Sequence, residues 1–540
     1  MTEQEAYYGW SVPGGLVERP GEYPGRAELW CYTDRFSYSP GENVSIKVHS
    51  NTDFYDVEII RDGASPTTVY RRDTMPGRVH PTPTDAYAVG CGWPEALSVA
   101  VDSEWSPGFY LIILRSRYKG RIVESEGFFI VRSSRPTDAD FVLIHTTSTM
   151  LAYNDWGGAN HYRGLPDGLG DDIPSAISST QRPVARGMLR KPIGAPRNVH
   201  TSAPPPGWIP RHEGYEWAWL NGYSRHHADA FWATYERPFT VWAEENGYTV
   251  HHLTQHDLHE EPDALSGYKC AAIVGHDEYW TWEMRDRIDA FVASGGGLAR
   301  FGGNFLWQVR LDTENGTQTC YKDPNLDPMK EVDPTRVTTA WDWPPIARPG
   351  AHTMALTGMA GVYGRYGATT PRSSGGFTVY RPDHWSLVDT DLYYGDVFGA
   401  APVCVAGFEF DGVDYTFRKG QPYATGADGA STTLEIVAMT PAVIGSRDSW
   451  SGTVAIGAPM RDVQGLTDAM YDGAVPDHLD TEYGSGMVAV EKKGNGTVFN
   501  AGSCEWVSGL IHHDPFTEKI TKNVLDRFIG LGVPDIEDGE

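Results

Sequence analysis

The stretch Ala271–Phe291, AAIVGHDEYWTWEMRDRIDAF, decides how the chain is read. Ala271–Val274 is a short apolar run with the pattern of a buried strand. Gly275-His276-Asp277-Glu278-Tyr279-Trp280 follows as a polar elbow. Thr281 can then cap a helix whose Met284, Ile288 and Phe291 fall at helical spacing. A strand, a tight turn and a helix start place side chains at the carboxyl edge of a sheet, where open α/β sheets build their sites. Tyr279 stands at or just before that helix start, where the helix dipole favours negative charge and a phenolate costs less than elsewhere. A phenolate is a hard anionic oxygen ligand.

Working outward, similar units flank the elbow. Phe141–His145 is an apolar strand leading to the loop Tyr153-Asn154-Asp155-Trp156-Gly157-Gly158. A helix ending near Asn246-Gly247 precedes a strand at Tyr248–Leu253, and Leu298–Phe301 is a fourth strand ending at Gly302–Asn304. This alternation predicts a parallel, doubly wound α/β sheet with the architecture of a class I glutamine amidotransferase. The hairpin around Lys492–Asn495 ends at another edge, Ser503–Trp506, and an amphipathic helix closes the sequence with Ile520, Val524, Phe528 and Ile529 on one side. Residues 305–480 are irregular, with a β-rich part from about Phe377.

Before the α/β part, residues 26–131 alternate apolar and polar positions, as in GENVSIKVHS (Gly41–Ser50) and YDVEIIRDG (Tyr55–Gly63). An immunoglobulin-like β-sandwich is expected there, with the scaffolding role of a wall. Ser133–Asp140 reads as a linker. The expected organisation is a sandwich over 1–135 and an amidotransferase-like α/β domain over 136–540, with the β-rich insertions just named.

At 540 residues the chain is too long for one ordinary core. Its net charge of −27 argues against nucleic acid and anionic membrane as partners. No apolar run is long enough to span a bilayer, and the first fifteen residues lack the basic and apolar regions of a signal peptide. The six cysteines are widely separated and form no CxxC pair, so a cytoplasmic protein with reduced thiols is expected.

The elbow sits where hydrolases of this architecture carry a nucleophilic Cys or Ser, yet GHDEYW has neither. No HExxH or similar histidine motif offers a nitrogen site, so a metal here would rest on Tyr, Asp or Glu oxygens, which suit a hard cation such as Fe³⁺. Glu505, between Cys504 and Trp506, is a general-base candidate if buried against the indole. Asn154 and Asn304 are candidates for binding a substrate carbonyl or for fixing loops.

The segment Gly275–Arg310, with Asp257-Leu258-His259 and AYNDWGGANHY before it, resembles the large subunit of N,N-dimethylformamidase from about Asp140 onward. The resemblance implies a mononuclear Fe³⁺ held by two tyrosines and one glutamate, which polarises an amide carbonyl for hydrolysis. Carried over residue by residue, Tyr279 matches the elbow tyrosine, Tyr321 the second tyrosine and Glu409 the carboxylate, with Glu435 and Asp411 as rivals. Glu505 or His276 would handle the water and amine protons. Trp156, Phe305 and Trp506 would wall the N-alkyl groups. The expected substrate is a small N,N-dialkyl amide. A homo-oligomer and a small accessory subunit are the expected partners, without nucleic acid or membrane. Two other readings stay open: a carbohydrate-binding protein using its many Trp and Tyr as sugar platforms, and a cysteine amidohydrolase using Cys504 or Cys320.

Overall fold

The computed structural model describes residues 17–165, 173–198, 213–360, 375–443 and 483–532. The first fifteen residues, read above for a leader, and parts of the proline-rich stretch 163–214 lie outside the described residues.

In the N-terminal part the alternating sequence folds as its period dictates. Asn43–Ser50 buries Val44, Ile46 and Val48, and Phe54–Asp62 buries Tyr55, Val57 and Ile59. A three-stranded sheet (Leu29–Thr33, Asn43–Ser50, Glu95–Ala100) and a five-stranded sheet (Ser37–Tyr38, Phe54–Asp62, Thr67–Pro76, Gly108–Tyr118, Arg121–Val131) share one apolar core. Two facing, mainly antiparallel sheets follow because each strand has one apolar face to cover.

The second part is built on one nine-stranded sheet. In chain order its strands are β1 Phe141–His145, β2 Val250–Thr254, β3 Cys270–His276, β4 Gly297–Gly303, β5 Phe377–Val379, β6 Val397–Phe398, β7 Glu435–Val443, β8 Tyr483–Lys493 and β9 Gly496–Asn500. The spatial order is β2-β1-β3-β4-β9-β8-β7-β5-β6. The run from β2 to β9 is parallel, while β9 to β6 is antiparallel. The domain is therefore more β-rich than a doubly wound α/β fold, with few helices, because the expected β-rich segment after 377 joins the central sheet as its antiparallel half.

The deciding stretch folds as read. β3 is buried throughout, and the helix Trp282–Ser294 is capped by Thr281, whose hydroxyl accepts the Met284 N–H at 3.2 Å. Between them Gly275 adopts φ +78°, and a Cβ there would meet the Tyr235 ring at 2.2 Å. Tyr279-Trp280 then forms a two-residue strand paired with Trp307-Gln308. Tyr279 thus precedes the cap by two residues, and its phenol's surroundings are set by packing rather than by the helix dipole.

The two parts meet across buried contacts. Phe109 stacks on Trp232 at 4.0 Å, and Asp62 accepts from Trp232 Nε1 at 2.9 Å and from Arg237 Nε at 2.8 Å. All six cysteines are buried, and no disulfide joins them. Among the described residues no helix is long and apolar enough to cross a membrane.

Candidate active site

The carboxyl ends of β1, β3 and β4, with the segment around Glu409, bring polar side chains together in the interior. Tyr153 ends the helix Thr147–Tyr153 after β1, and Tyr162 lies in the loop beyond it. The Tyr162 hydroxyl is 2.7 Å from that of Tyr153 and 2.7 Å from that of Tyr279. It also stands 2.8 and 3.0 Å from the two Glu278 oxygens. Tyr153 donates to Glu278 at 2.9 Å, and Trp307 Nε1 donates to its other oxygen at 2.7 Å. Three phenols and one carboxylate thus converge.

His276 joins this cluster to a second one. Its Nδ1 is 2.7 Å from the Asp229 carbonyl oxygen, the acceptor of an Nδ1–H. Its Nε2 lies 2.7 Å from Glu409 and 3.3 Å from Glu278. Burial alone would lower the His276 pKa, but the Glu409 charge and the bonds to Glu278 and Glu409 hold it well above the usual value. Glu278 is pushed up by burial, yet the His276 bond and charge, with Lys322 and Tyr162, bring it below the ordinary carboxylate range. An imidazolium between two carboxylates is the arrangement that results.

Asn304, at the end of β4 with φ +62°, donates to Glu409 at 2.9 Å from an amide nitrogen 3.0 Å from His276 Nε2. Lys322, also in the left-handed region at φ +62°, sets its ammonium 3.3 Å from the centre of the Tyr162 ring. Burial lowers the Lys322 pKa, against the pull of Glu278. Cys504 completes the group: one ligand atom each of His276, Glu409 and Cys504 lie within 4.8 Å of one another. Burial, with the charge of Glu409, holds that thiol far above its usual pKa and therefore neutral.

The geometry sorts the residues named from the sequence. It brings together Tyr279, His276, Glu409 and Asn304. Tyr321 is half-buried and tied through its backbone N–H to Thr338 Oγ1, with no hydrogen bond from its hydroxyl to the cluster among the described residues. Of Glu409's rivals, Asp411 pairs with Arg300, and Glu435 lies 3.6 Å from His384. Glu505 is fully buried, and both its oxygens accept from Arg197 at 2.8 and 3.1 Å, a bidentate pair that stands apart from the cluster just described. Asn154 fixes its loop, donating to the Pro183 carbonyl and accepting from Trp156 and Ala185. The expected apolar wall is dispersed into cores: Trp156 packs on Trp30 and Trp93, Phe305 on Trp280, and Trp506 on Phe301 and Phe377. Trp156, Trp232, Trp280, Trp341, Trp343 and Trp506 are fully buried, which removes them as sugar platforms.

Tyr153, Tyr162, Glu278 and Lys322 are the site residues that sequence reasoning passed over. The first three stand inside or beside quoted motifs, AYNDWGGANHY and GHDEYW, so the signal was present.

The sequence description "N,N-dimethylformamidase beta subunit-like, C-terminal" matches residues 56–518. This chain belongs to that family. The match begins inside the N-terminal sheets, earlier than the resemblance from Asp140 suggested. The N,N-dimethylformamidase beta subunits of Paracoccus aminophilus and Alcaligenes sp are each 27% identical to it, over 334 and 332 residues. Each alignment covers 56% of this chain and 38% of the relative, so the chain matches well under half the length of these curated relatives.

The resemblance implies iron, and two donor sets of different chemistry lie at this edge. Phenol and carboxylate oxygens, converging in a buried place beside the Lys322 ammonium, fit a hard trivalent cation. The nitrogen, oxygen and sulfur of His276, Glu409 and Cys504 are a softer set.

Proposed function

We propose that this chain is an iron-dependent amidohydrolase that cleaves the C–N bond of a small N-substituted amide, with N,N-dialkyl amides such as N,N-dimethylformamide as the substrate class. The observation that carries the reading is the meeting of the Tyr153, Tyr162 and Tyr279 hydroxyls with Glu278 beside the His276–Glu409 pair. Tyr153, Tyr162 and Glu278 would hold the ion, a two-phenol, one-carboxylate set. Tyr279, the ligand expected from the elbow, would instead support Tyr162 by donating to its hydroxyl at 2.7 Å. When bound, Fe³⁺ would supply Lewis acidity to the amide carbonyl oxygen.

The side chains account for the protons. Glu409, accepting from Asn304 and His276, takes one from the attacking water as its oxygen bonds to the carbonyl carbon. As the C–N bond breaks, that proton passes to the leaving nitrogen, giving the amine and the carboxylic acid, which loses its remaining proton to solvent on release. His276 keeps Glu409 oriented, and Lys322, set over the Tyr162 ring, adds positive charge that favours the anionic form of Glu278. In this reading the beta-subunit-like chain is the catalytic, large one, because these groups all lie in it. Homo-oligomerisation and a small accessory subunit are part of the same proposal, supported by the relatives' being named beta subunits. The immunoglobulin-like and amidotransferase-like assignments of the two parts belong here too, supported by the facing sheets and by the parallel run β2-β1-β3-β4-β9.

Metal analysis with the visible tyrosinate-to-iron band, alongside a panel of formyl and acetyl dialkyl amides, tests the reading. An iron-free, colourless protein with full amidase activity overturns it. One observation favours a second reading: Cys504 stands beside a His–Glu pair, as a thiol nucleophile would. Its neutral thiol counts against that role. Loss of activity on thiol alkylation, in protein that carries no iron, would select it.

A further inference from the structure

One buried arginine ties together the segments that carry the reacting groups. Arg300 lies on β4, opposite Ile273 of β3 and Asn500 of β9, and is fully buried. Its Nε stands 2.9 and 3.1 Å from the two Asp277 oxygens, and its Nη2 also binds Asp277. Its Nη1 binds Asp411 and reaches Asn500 Oδ1 at 3.2 Å. Asp277 stands between His276 and Glu278, and Asp411 two residues after Glu409. Asp411 further accepts the Phe305 N–H at 3.1 Å, next to Asn304.

The backbone gives this clamp a task. Asn304 (φ +62°) and Glu409 (φ +40°) are non-glycine residues in the left-handed region, a conformation that persists only where its surroundings over-determine it. Each is within two residues of a group bound by Asp411 or is followed by Asp411 itself. A buried ion triad with two carboxylates to one guanidinium is weak as a device for stability alone, since both signs lose their water.

We propose that Arg300, bridging Asp277 and Asp411, is a positioning residue that sets the separation between the His276–Glu278 side of the site and the Asn304–Glu409 side. It touches no substrate. The inference rests on the proposed role of those four residues, and its test is chosen to separate the two.

Arg300→Lys keeps the charge but cannot fork across two carboxylates. Displacement of reacting groups by about 1 Å costs about 100-fold, so kcat falls by about that factor. KM should stay within roughly threefold, since the loss falls on the transition state. A crystal structure of the variant shows Glu409 leaving the left-handed region and its contact with His276 lengthened. Arg310→Lys, at a bidentate Arg–Asp327 pair outside the site, is the control: stability falls and kcat does not. Should Arg300→Lys fail to fold, Asp411→Asn carries the test, because it keeps an oxygen for the Phe305 N–H and replaces the oxygen that accepts from Arg300 Nη1 by an NH2 donor, removing both the charge and the hydrogen bond on that side; kcat then drops by about tenfold with the same displacement of Glu409. Wild-type kcat and unmoved Glu409 in the variant that folds overturn the clamp. A wild-type protein inactive on every amide tested, with iron bound, overturns the proposed function instead, and the displacement of Glu409 and Asn304 in the variant structures still decides the clamp.

Discussion

The N-terminal sheets and the carboxyl edge of the nine-stranded sheet bury their residues equally deeply and with opposite chemistry. In the first, Val44, Ile46, Val57, Ile59 and Ile112 are sealed in one apolar core. In the second, His276, Asp277, Glu278, Arg300, Asn304 and Asp411 are sealed just as fully. Apolar burial stabilises by about 25 cal/mol per Å² and tolerates many substitutions that keep volume. Buried charges lose their hydration and repay it only when paired with good geometry, so they gain little as stability devices. Residues that break the ordinary rule of interiors, gathered at the end of a parallel sheet, mark the place that the fold holds ready for chemistry. Three substitutions bear on this contrast directly, and a fourth tests it away from both regions.

The largest effect is expected at the edge. Glu409→Gln keeps the size of the side chain and removes the proposed base, so kcat should fall by about 10²- to 10⁴-fold while the melting temperature changes little. On the proposed iron site, Tyr162→Phe should lower the iron bound and bleach the tyrosinate band, because its hydroxyl is the hub that meets Tyr153, Tyr279 and Glu278. If Glu409→Gln unfolded the protein readily but left the remaining folded molecules active, the edge would be only another core, and the contrast would collapse.

The reverse result is expected in the sheets. Ile59→Ala, at a position with no exposed surface, should cost about 2–4 kcal/mol through lost burial and the cavity left behind. Chemical denaturation reads that loss. Activity per folded molecule should stay at the wild-type level, since Ile59 packs with Tyr110, Ile112 and Leu114 in the N-terminal core rather than against the site.

What the sequence showed follows the same division. Period-two alternation is a local signal, so the strands Asn43–Ser50 and Phe54–Asp62 were legible before folding. The strand–elbow–helix unit was legible because a four-residue apolar run and a capping Thr281 are also local. The cluster was legible only in part. Glu278 and Tyr279 are neighbours in the elbow, but which of them meets Tyr153 and Tyr162 is fixed by Gly275's left-handed turn and by the short strand pairing with Trp307. Tyr162 reaches Glu278 across 116 positions, and Glu505 finds Arg197 across 308. No spacing rule spans such distances. The aromatic rings at strand ends misled for a related reason: Trp156 and Trp506 have apolar surface enough to be drawn into cores, so standing near the edge in sequence did not make them walls of a pocket.

The smallest effect tests whether a buried carboxylate is a liability where no chemistry needs it. Asp342 lies outside the cluster, accepting from Thr357 Oγ1 at 3.0 Å and the Gly350 N–H at 3.3 Å. Burial, against those two hydrogen bonds, pushes its carboxyl up to about 7. In the unfolded chain it titrates near 3.9, so between about pH 4 and pH 7 the folded state binds more protons than the unfolded state. Stability from this group is therefore full below pH 4 and lost as pH rises through 7. The full shift corresponds to about 4 kcal/mol, but Asp342 is only partly covered and water screens it, so about 1–2 kcal/mol is expected. Asp342→Asn should remove that slope: urea unfolding at pH 8 should find the variant more stable than wild type by that amount, at pH 4 no more stable, and kcat unchanged. Equal stability at both pH values would mean that this carboxylate is solvated well enough to cost nothing. The contrast would then narrow to the His276–Glu278–Glu409 edge, where removing a carboxylate must cost activity rather than restore stability.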